Sequence, residues 1–249
     1  MIGVRNRPTG VIGGMLLLLA CATETIPVRS EKLGYTGCDA DERRLIADAF
    51  DRAAQLGDAS AAAIDDPELR ALARADGWPQ YRWWFGDYSD ERYEIVRDVL
   101  DATRGEFDRG YEMRCAVESR NCPRSDPPLR ESVGRGADPD EYGPDVEEDW
   151  GPGRAWKVFA YANSDIRSLQ LCEDFFHEDP RERAAILFHE LTHVARDTED
   201  HGYRARETRD LASERPDRAV RNAPSYQGFA TSIATGRVPS DADAGPEDD

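Results

Sequence analysis

Between residues 179 and 203 the chain reads Asp-Pro-Arg-Glu-Arg-Ala-Ala-Ile-Leu-Phe-His-Glu-Leu-Thr-His-Val-Ala-Arg-Asp-Thr-Glu-Asp-His-Gly-Tyr, and this stretch constrains the fold more than any other. His189 and His193 stand four apart, with Glu190 next to the first. Residues four apart share one face of an α-helix, so both rings can point a nitrogen at a single ion. Glu190, one position on, can reach a water held by that ion. The helix start signals agree. Asp179 is a good N-cap, Pro180 fits the first helical position, and Glu182 at the third completes a capping box. Ala184, Leu187, Phe188, Leu191 and Ala195 repeat at helical spacing as one buried stripe, with both histidines off it. The pattern predicts a helix with one face for the core and another for chemistry.

His-Glu-x-x-His is the spacing of zinc-dependent peptidases. The chain has four His in all, and all lie between His177 and His201. A catalytic zinc takes three protein ligands and leaves a fourth position for water. The residues alone leave the third ligand open among Glu199, Asp200, His201, Glu207 and Glu214. A metzincin pattern would put His at position 199, where Glu199 stands. A ligand from a later helix, as in thermolysin-like enzymes, would favour Glu207 or Glu214.

Thr198-Glu199-Asp200-His201-Gly202-Tyr203 resembles the Gly-Thr-x-Asp-x-x-Tyr-Gly signature of the aspzincins, the deuterolysin and peptidyl-Lys metalloendopeptidase family. Trp84-Phe85-Gly86-Asp87-Tyr88, followed by Arg92, resembles that family's Trp-Phe-Gly-x-Tyr stretch. Leu171-Cys172-Glu173-Asp174-Phe175-Phe176 resembles its Leu-Cys-x-x-Phe-aromatic stretch. Asn222-Ala223-Pro224-Ser225-Tyr226-Gln227-Gly228-Phe229 resembles its late Asn-Ala-Asp-x-x-x-x-Phe/Tyr stretch. The similarity covers residues 35–233, interrupted by one insertion. It implies an α+β, zincin-like fold, mostly helical, with a small β-sheet beside the HExxH helix. It implies a zinc metalloendopeptidase with one Zn2+ per chain, acting on protein or peptide substrates. By that resemblance Asp200 is the third ligand, Glu190 the general base and Tyr203 the stabiliser of the oxyanion.

Two departures stand out. Asp197 replaces the first Gly, and the loop from His193 to Asp200 is about two residues shorter than the family pattern. A loop that short would strain the approach of Asp200 to the metal. Lysine-specific members carry an acidic pair at positions that match Pro224 and Gln227. A buried carboxylate pair holds a substrate ammonium by charge-assisted hydrogen bonds. Neither residue here carries charge, so strict Lys specificity is not expected.

Residues 1–22 read as a targeting segment, with basic Arg5 and Arg7 before the apolar run 11–19. That run is too short to span a membrane comfortably. Leu18-Leu19-Ala20-Cys21 resembles a bacterial lipobox, which makes Cys21 a lipidated first residue of a cell-envelope lipoprotein. The alternative is a secretory peptide cut nearby. Membrane contact is then expected through the lipid anchor alone. In an oxidising compartment Cys38, Cys115, Cys122 and Cys172 predict two disulfides, and their positions leave three pairings open. The family resemblance implies Cys38–Cys115 and Cys122–Cys172. Only Lys32 and Lys157 are lysines, and Arg-, Ala- and Asp-rich usage suggests a high-GC bacterial genome. The net charge of -18 argues against nucleic acid as a partner. A monomer is expected.

Residues 35–235 form the expected domain. Helices are predicted over 45–56, stopped by Gly57, from Pro67, and over 90–104, with the aromatics of 78–88 packed in the core. A strand is predicted over 111–117, and two more over 156–161 and 169–172. That sheet edge would suit an extended peptide substrate. Residues 123–153 hold six prolines and an acidic cluster and read as a flexible insertion. A helix to about residue 213 and a short one over 226–234 follow, and the acidic tail 236–249 reads as disordered. Two other functions fit the same envelope location: a non-catalytic surface-binding lipoprotein, and a peptidoglycan cross-link hydrolase.

Overall fold

The computed structural model describes residues 28–115, 159–163 and 166–240. The targeting segment with Cys21, Cys122, the 123–153 insertion and the tail beyond residue 240 lie outside them. The described residues hold nine α-helices, one short 3-10 helix and four strands, an α+β architecture dominated by helix.

Helix α1 (Ala40–Asp65) starts at Asp39, whose carboxylate accepts from the Glu42 N–H at 2.9 Å while Glu42 accepts from the Asp39 N–H at 2.7 Å. This reciprocal pairing satisfies two backbone donors that a helix start leaves open. The sequence predicts a stop at Gly57, but the helix runs straight through it. The glycine serves packing instead. A Cβ there would lie 3.2 Å from a ring carbon of Phe107, just past helix α4 (Asp90–Glu106). Between them, α2 (Pro67–Arg74) and α3 (Pro79–Phe85) both open with proline at a first-turn position, where its missing N–H costs nothing. Helix α3 buries Tyr81, Trp84 and Phe85, and Trp84 Nε1 donates to Ser232 Oγ at 2.9 Å.

The sheet has the order β1-β2-β4-β3, from β1 (Gly34–Thr36), β2 (Glu112–Cys115), β3 (Ala160–Asn163) and β4 (Ser168–Leu171). The first three in that order pair in parallel, and β3 runs antiparallel to β4 along one edge. Strand β1, three residues long, was not legible in the sequence. A disulfide joins Cys38 to Cys115. That excludes a bond between the near neighbours Cys115 and Cys122. Cys172 is disulfide-bonded too, to a partner outside the described residues.

The short α5 (Glu173–His177) leads into α6 (Pro180–Arg196), followed by α7 (Ala205–Glu214), α8 (Pro216–Ala219) and α9 (Ala223–Thr235). Helix α6 is the hub: α1, α4, α9 and β3 all pack on it. The expected single buried stripe is a correction, since every residue from Arg183 to Thr192 is buried. Leu187, Phe188 and Leu191 are wholly inaccessible, each contributing about 1.5–3 kcal/mol by burial. Asp179 caps α6 as expected, accepting from the N–H groups of Arg181 and Glu182. The Glu182 half of the expected box is replaced: its carboxylate accepts from Gln227 on α9 at 3.4 Å.

Candidate metal centre

Helix α6 sets the first two donors. His189 Nε2 and His193 Nε2 lie 3.1 Å apart, one turn separated on the same face. His193 is oriented from behind. Its Nδ1 meets the Thr198 carbonyl oxygen at 2.5 Å and Thr198 Oγ1 at 3.3 Å. An Nδ1–H donated to a carbonyl leaves the Nε2 lone pair directed into the site. Thr192, between the two histidines, ties the helix to the following loop through a 2.8 Å contact with Thr198 Oγ1.

The loop supplies the third donor. Helix α6 ends at Asp197, which adopts a left-handed conformation with φ 48°. That position favours glycine, and Asp is among the few other residues that tolerate it. The left-handed turn reverses the chain at once, so the short loop still delivers Asp200. Asp200 Oδ1 lies 3.3 Å from His189 Nε2 and 3.5 Å from His193 Nε2. The strain expected from the missing residues is thereby taken up at Asp197.

These atoms fit zinc. They form a triangle with sides of 3.1, 3.3 and 3.5 Å. A nearly equilateral triangle of this size has its centre about 1.9 Å from each corner, the side divided by √3, and zinc binds nitrogen and oxygen at about 2.0–2.2 Å. The three donors would hold a zinc ion at bonding distance. The charges agree with the geometry. Burial alone would raise the Asp200 carboxyl, but hydrogen bonds and charge from both imidazoles hold it far below the usual range. Burial alone would lower His193, but Asp200, Glu190 and the Thr198 carbonyl raise it to about 9. The cluster is built to hold positive charge at its centre.

Glu190 lies on the same helix, 7% exposed. Burial raises its carboxyl, and the two neighbouring imidazoles oppose that rise in part. The backbone of Ala162, on edge strand β3 packed against α6, opposes the rise further. Tyr203 donates its hydroxyl to Asp200 Oδ2 at 2.8 Å, and its ring stacks over His189 at 6.4 Å between centroids. Burial and the charge of Asp200 raise its phenol well above the ordinary value, so it remains an O–H donor.

The other candidate ligands go elsewhere. Glu199 pairs with His201 at 2.9 Å. Glu207 caps α7, accepting from the N–H groups of Tyr203 and Arg204. Glu214 ends α7, and His177 is largely exposed beside Glu173. Among the described residues one other cluster has ligand spacing, Cys38, Glu42 and Cys115, but its two sulfurs are joined to each other. Of the expected substrate-binding positions, Pro224 is buried in the first turn of α9 and Gln227 bonds Glu182. Residue spacing did not single out Thr198, Ala162 or Asn222. The signals available for them were the two stretches compared with the aspzincins and the edge-strand position.

Comparison with known proteins adds a partial family match. Residues 146–231 match the family model Aspzincin_M35, described as lysine-specific metallo-endopeptidase. The match spans about a third of the chain, and over that stretch the chain is similar to the aspzincins. The stretch contains His189, Glu190, His193, Asp200 and Tyr203. The structure also resembles a zinc peptidase from Grifola frondosa, with a TM-score of 0.57 and 20% identity, over 79% of this chain and 98% of that one. At this identity the likeness is one of fold, and the fold is the α+β arrangement expected. A comparison with curated proteins finds no match. The aspzincin match makes the chain a zinc metalloendopeptidase, a hydrolase of protein or peptide substrates.

Proposed function

We propose that His189, His193 and Asp200 hold one zinc per chain, and that Glu190 and Tyr203 carry out endopeptidase chemistry beside it. The observation that carries this reading is the donor triangle, whose size matches zinc and whose two histidines share a helix face with a buried Glu. Zinc, when bound, polarises a carbonyl and acidifies water. Glu190 takes the proton of the attacking water and returns it to the leaving amine. Its burial suits this task, because a raised pKa makes the carboxylate a stronger base toward the water. Negative charge grows on the carbonyl oxygen as the water adds, and the Tyr203 hydroxyl is the donor for it. To serve there, the hydroxyl turns from Asp200 Oδ2, its present partner.

The substrate backbone lies along edge strand β3. Strand β3 packs on α6, which carries Glu190, and it pairs with β4 on one side, so among the described residues its other edge has no strand partner. An extended peptide added to that edge brings its scissile bond to the catalytic carboxylate. Cleavage is not restricted to Lys. Pro224 and Gln227 offer no carboxylate pair, and the single Glu182 carboxylate is engaged by Gln227. The chain acts as a monomer outside the cytoplasm, anchored through Cys21 or secreted.

The test is a cleavage-site profile. A denatured protein mixture is incubated with zinc-loaded wild type and with Glu190→Gln, and new termini are read by mass spectrometry. Cuts made only by wild type, with varied residues after the bond, are the expected result. Equal cleavage by both proteins would remove Glu190 from the mechanism. No cleavage by either would favour a surface-binding module, and cuts confined to peptidoglycan cross-links would redirect the substrate assignment.

A further inference from the structure

The segment that carries Asp200 is gripped by one side chain more than twenty residues later. Asn222 is fully buried. Its Oδ1 accepts from the N–H of His201 at 2.8 Å and of Gly202 at 3.3 Å. Its Nδ2 donates to the Gly202 carbonyl at 3.3 Å and to Ser225 Oγ at 3.0 Å. The backbone does the same on the other side of Asp200. The Glu199 N–H donates to the Arg221 carbonyl at 2.7 Å, and the Ala223 N–H donates to the Glu199 carbonyl at 2.8 Å. These two bonds form an isolated parallel bridge between Glu199 and Asn222.

The side-chain amide therefore continues, by other atoms, the pairing that the backbone bridge begins. Irregular backbone beside a buried site needs both donors and acceptors, and a carboxamide offers both in one plane. Asp lacks the donor and Leu lacks both. Residues 199, 201 and 202 are pinned to 221–223, and Asp200 is the residue between them. Gly202 is held equally closely on its other side, where a Cβ would lie 3.1 Å from Glu207 Cβ.

We propose that Asn222 is a positioning residue for the third metal ligand: it fixes the 199–202 segment in ligating geometry before the ion arrives, and so sets zinc affinity. This inference rests on His189, His193 and Asp200 being the zinc ligands. Partners that orient ligands from behind typically change metal affinity about 10–100-fold when removed.

The experiment compares wild type, Asn222→Ala and Asn222→Asp by chelator competition for zinc, with thermal unfolding of each zinc-free protein alongside. Asn222→Ala is expected to weaken zinc binding by about 10–100-fold. Asn222→Asp keeps the acceptor for His201 and Gly202 and is expected to recover most of that loss. A purely structural role would lower the unfolding temperature and leave zinc affinity unchanged, which overturns the proposal. So would an Asp variant no better than the Ala variant. Should Asn222→Ala not fold, amide hydrogen exchange on wild type decides. The His201 and Gly202 amides are expected to be protected without zinc, and protection gained only on adding zinc contradicts the inference. A wild type that binds no zinc at all defeats the ligand reading itself, a result distinct from equal binding by wild type and variant.

Discussion

His189 and His193 sit on a helix buried on almost every side, whereas Asp200 and Tyr203 sit on a loop that reaches solvent, with Tyr203 53% exposed. The helix fixes its two donors by packing. Its backbone hydrogen bonds are internal, and Leu187, Phe188 and Leu191 lock its rotation against the core. The loop has no such apolar anchor and is fixed by polar bonds to Thr192, Arg221, Asn222 and Glu207. One half of the site therefore depends on the stability of the whole domain, and the other on a few local hydrogen bonds.

Mutations should separate the two halves. The largest effect is expected at Phe188, inaccessible on α6 and stacked on Phe107. Phe188→Ala should destabilise the zinc-free protein by about 3–5 kcal/mol in denaturant unfolding. A loss under about 1 kcal/mol would mean the helix is not held by its core face. Asp200→Ala tests the loop half. Zinc affinity should fall more than about 100-fold, or about 2.7 kcal/mol, while zinc-free stability changes by less than about 1 kcal/mol. A large fall in stability instead would erase the distinction between the halves.

Tyr203→Phe is sharper still. It should lower kcat about 100-fold, with KM within about threefold, because its hydroxyl acts on charge that develops during reaction. A change confined to KM would assign Tyr203 to substrate binding. The smallest effect is expected at the helix end. Asp197 sits at φ 48°, so Asp197→Gly should stabilise the protein by about 0.5–1 kcal/mol and leave zinc affinity unchanged. Destabilisation there would show that the Asp side chain has a role beyond tolerating the turn.

The same contrast explains what could be read from sequence. Helical periodicity places His189, Glu190 and His193 together without any tertiary knowledge, and Asp179-Pro180 marks where that helix starts. The edge of the prediction is the far side of the helix: a stripe says which residues are apolar, not that α1, α4, α9 and β3 would enclose the polar face as well. Gly57 was misread for a related reason. A glycine can end a helix or admit a neighbour, and only the position of Phe107 distinguishes the two. Asp200 was one of five candidates until family resemblance singled it out, and Tyr203 came from that resemblance alone, because loop geometry is decided by contacts such as Asn222 that periodicity does not encode. Strand β1 is too short to carry an alternating pattern and exists through its pairing with β2.

Zinc K-edge X-ray absorption of the zinc-loaded protein tests the central claim most directly. Two imidazoles and one carboxylate should give one zinc per chain with a first shell of nitrogen and oxygen only, at about 2.0–2.2 Å. A sulfur shell at about 2.3 Å, or fewer than two imidazoles, would contradict the assignment of His189, His193 and Asp200 as the metal centre.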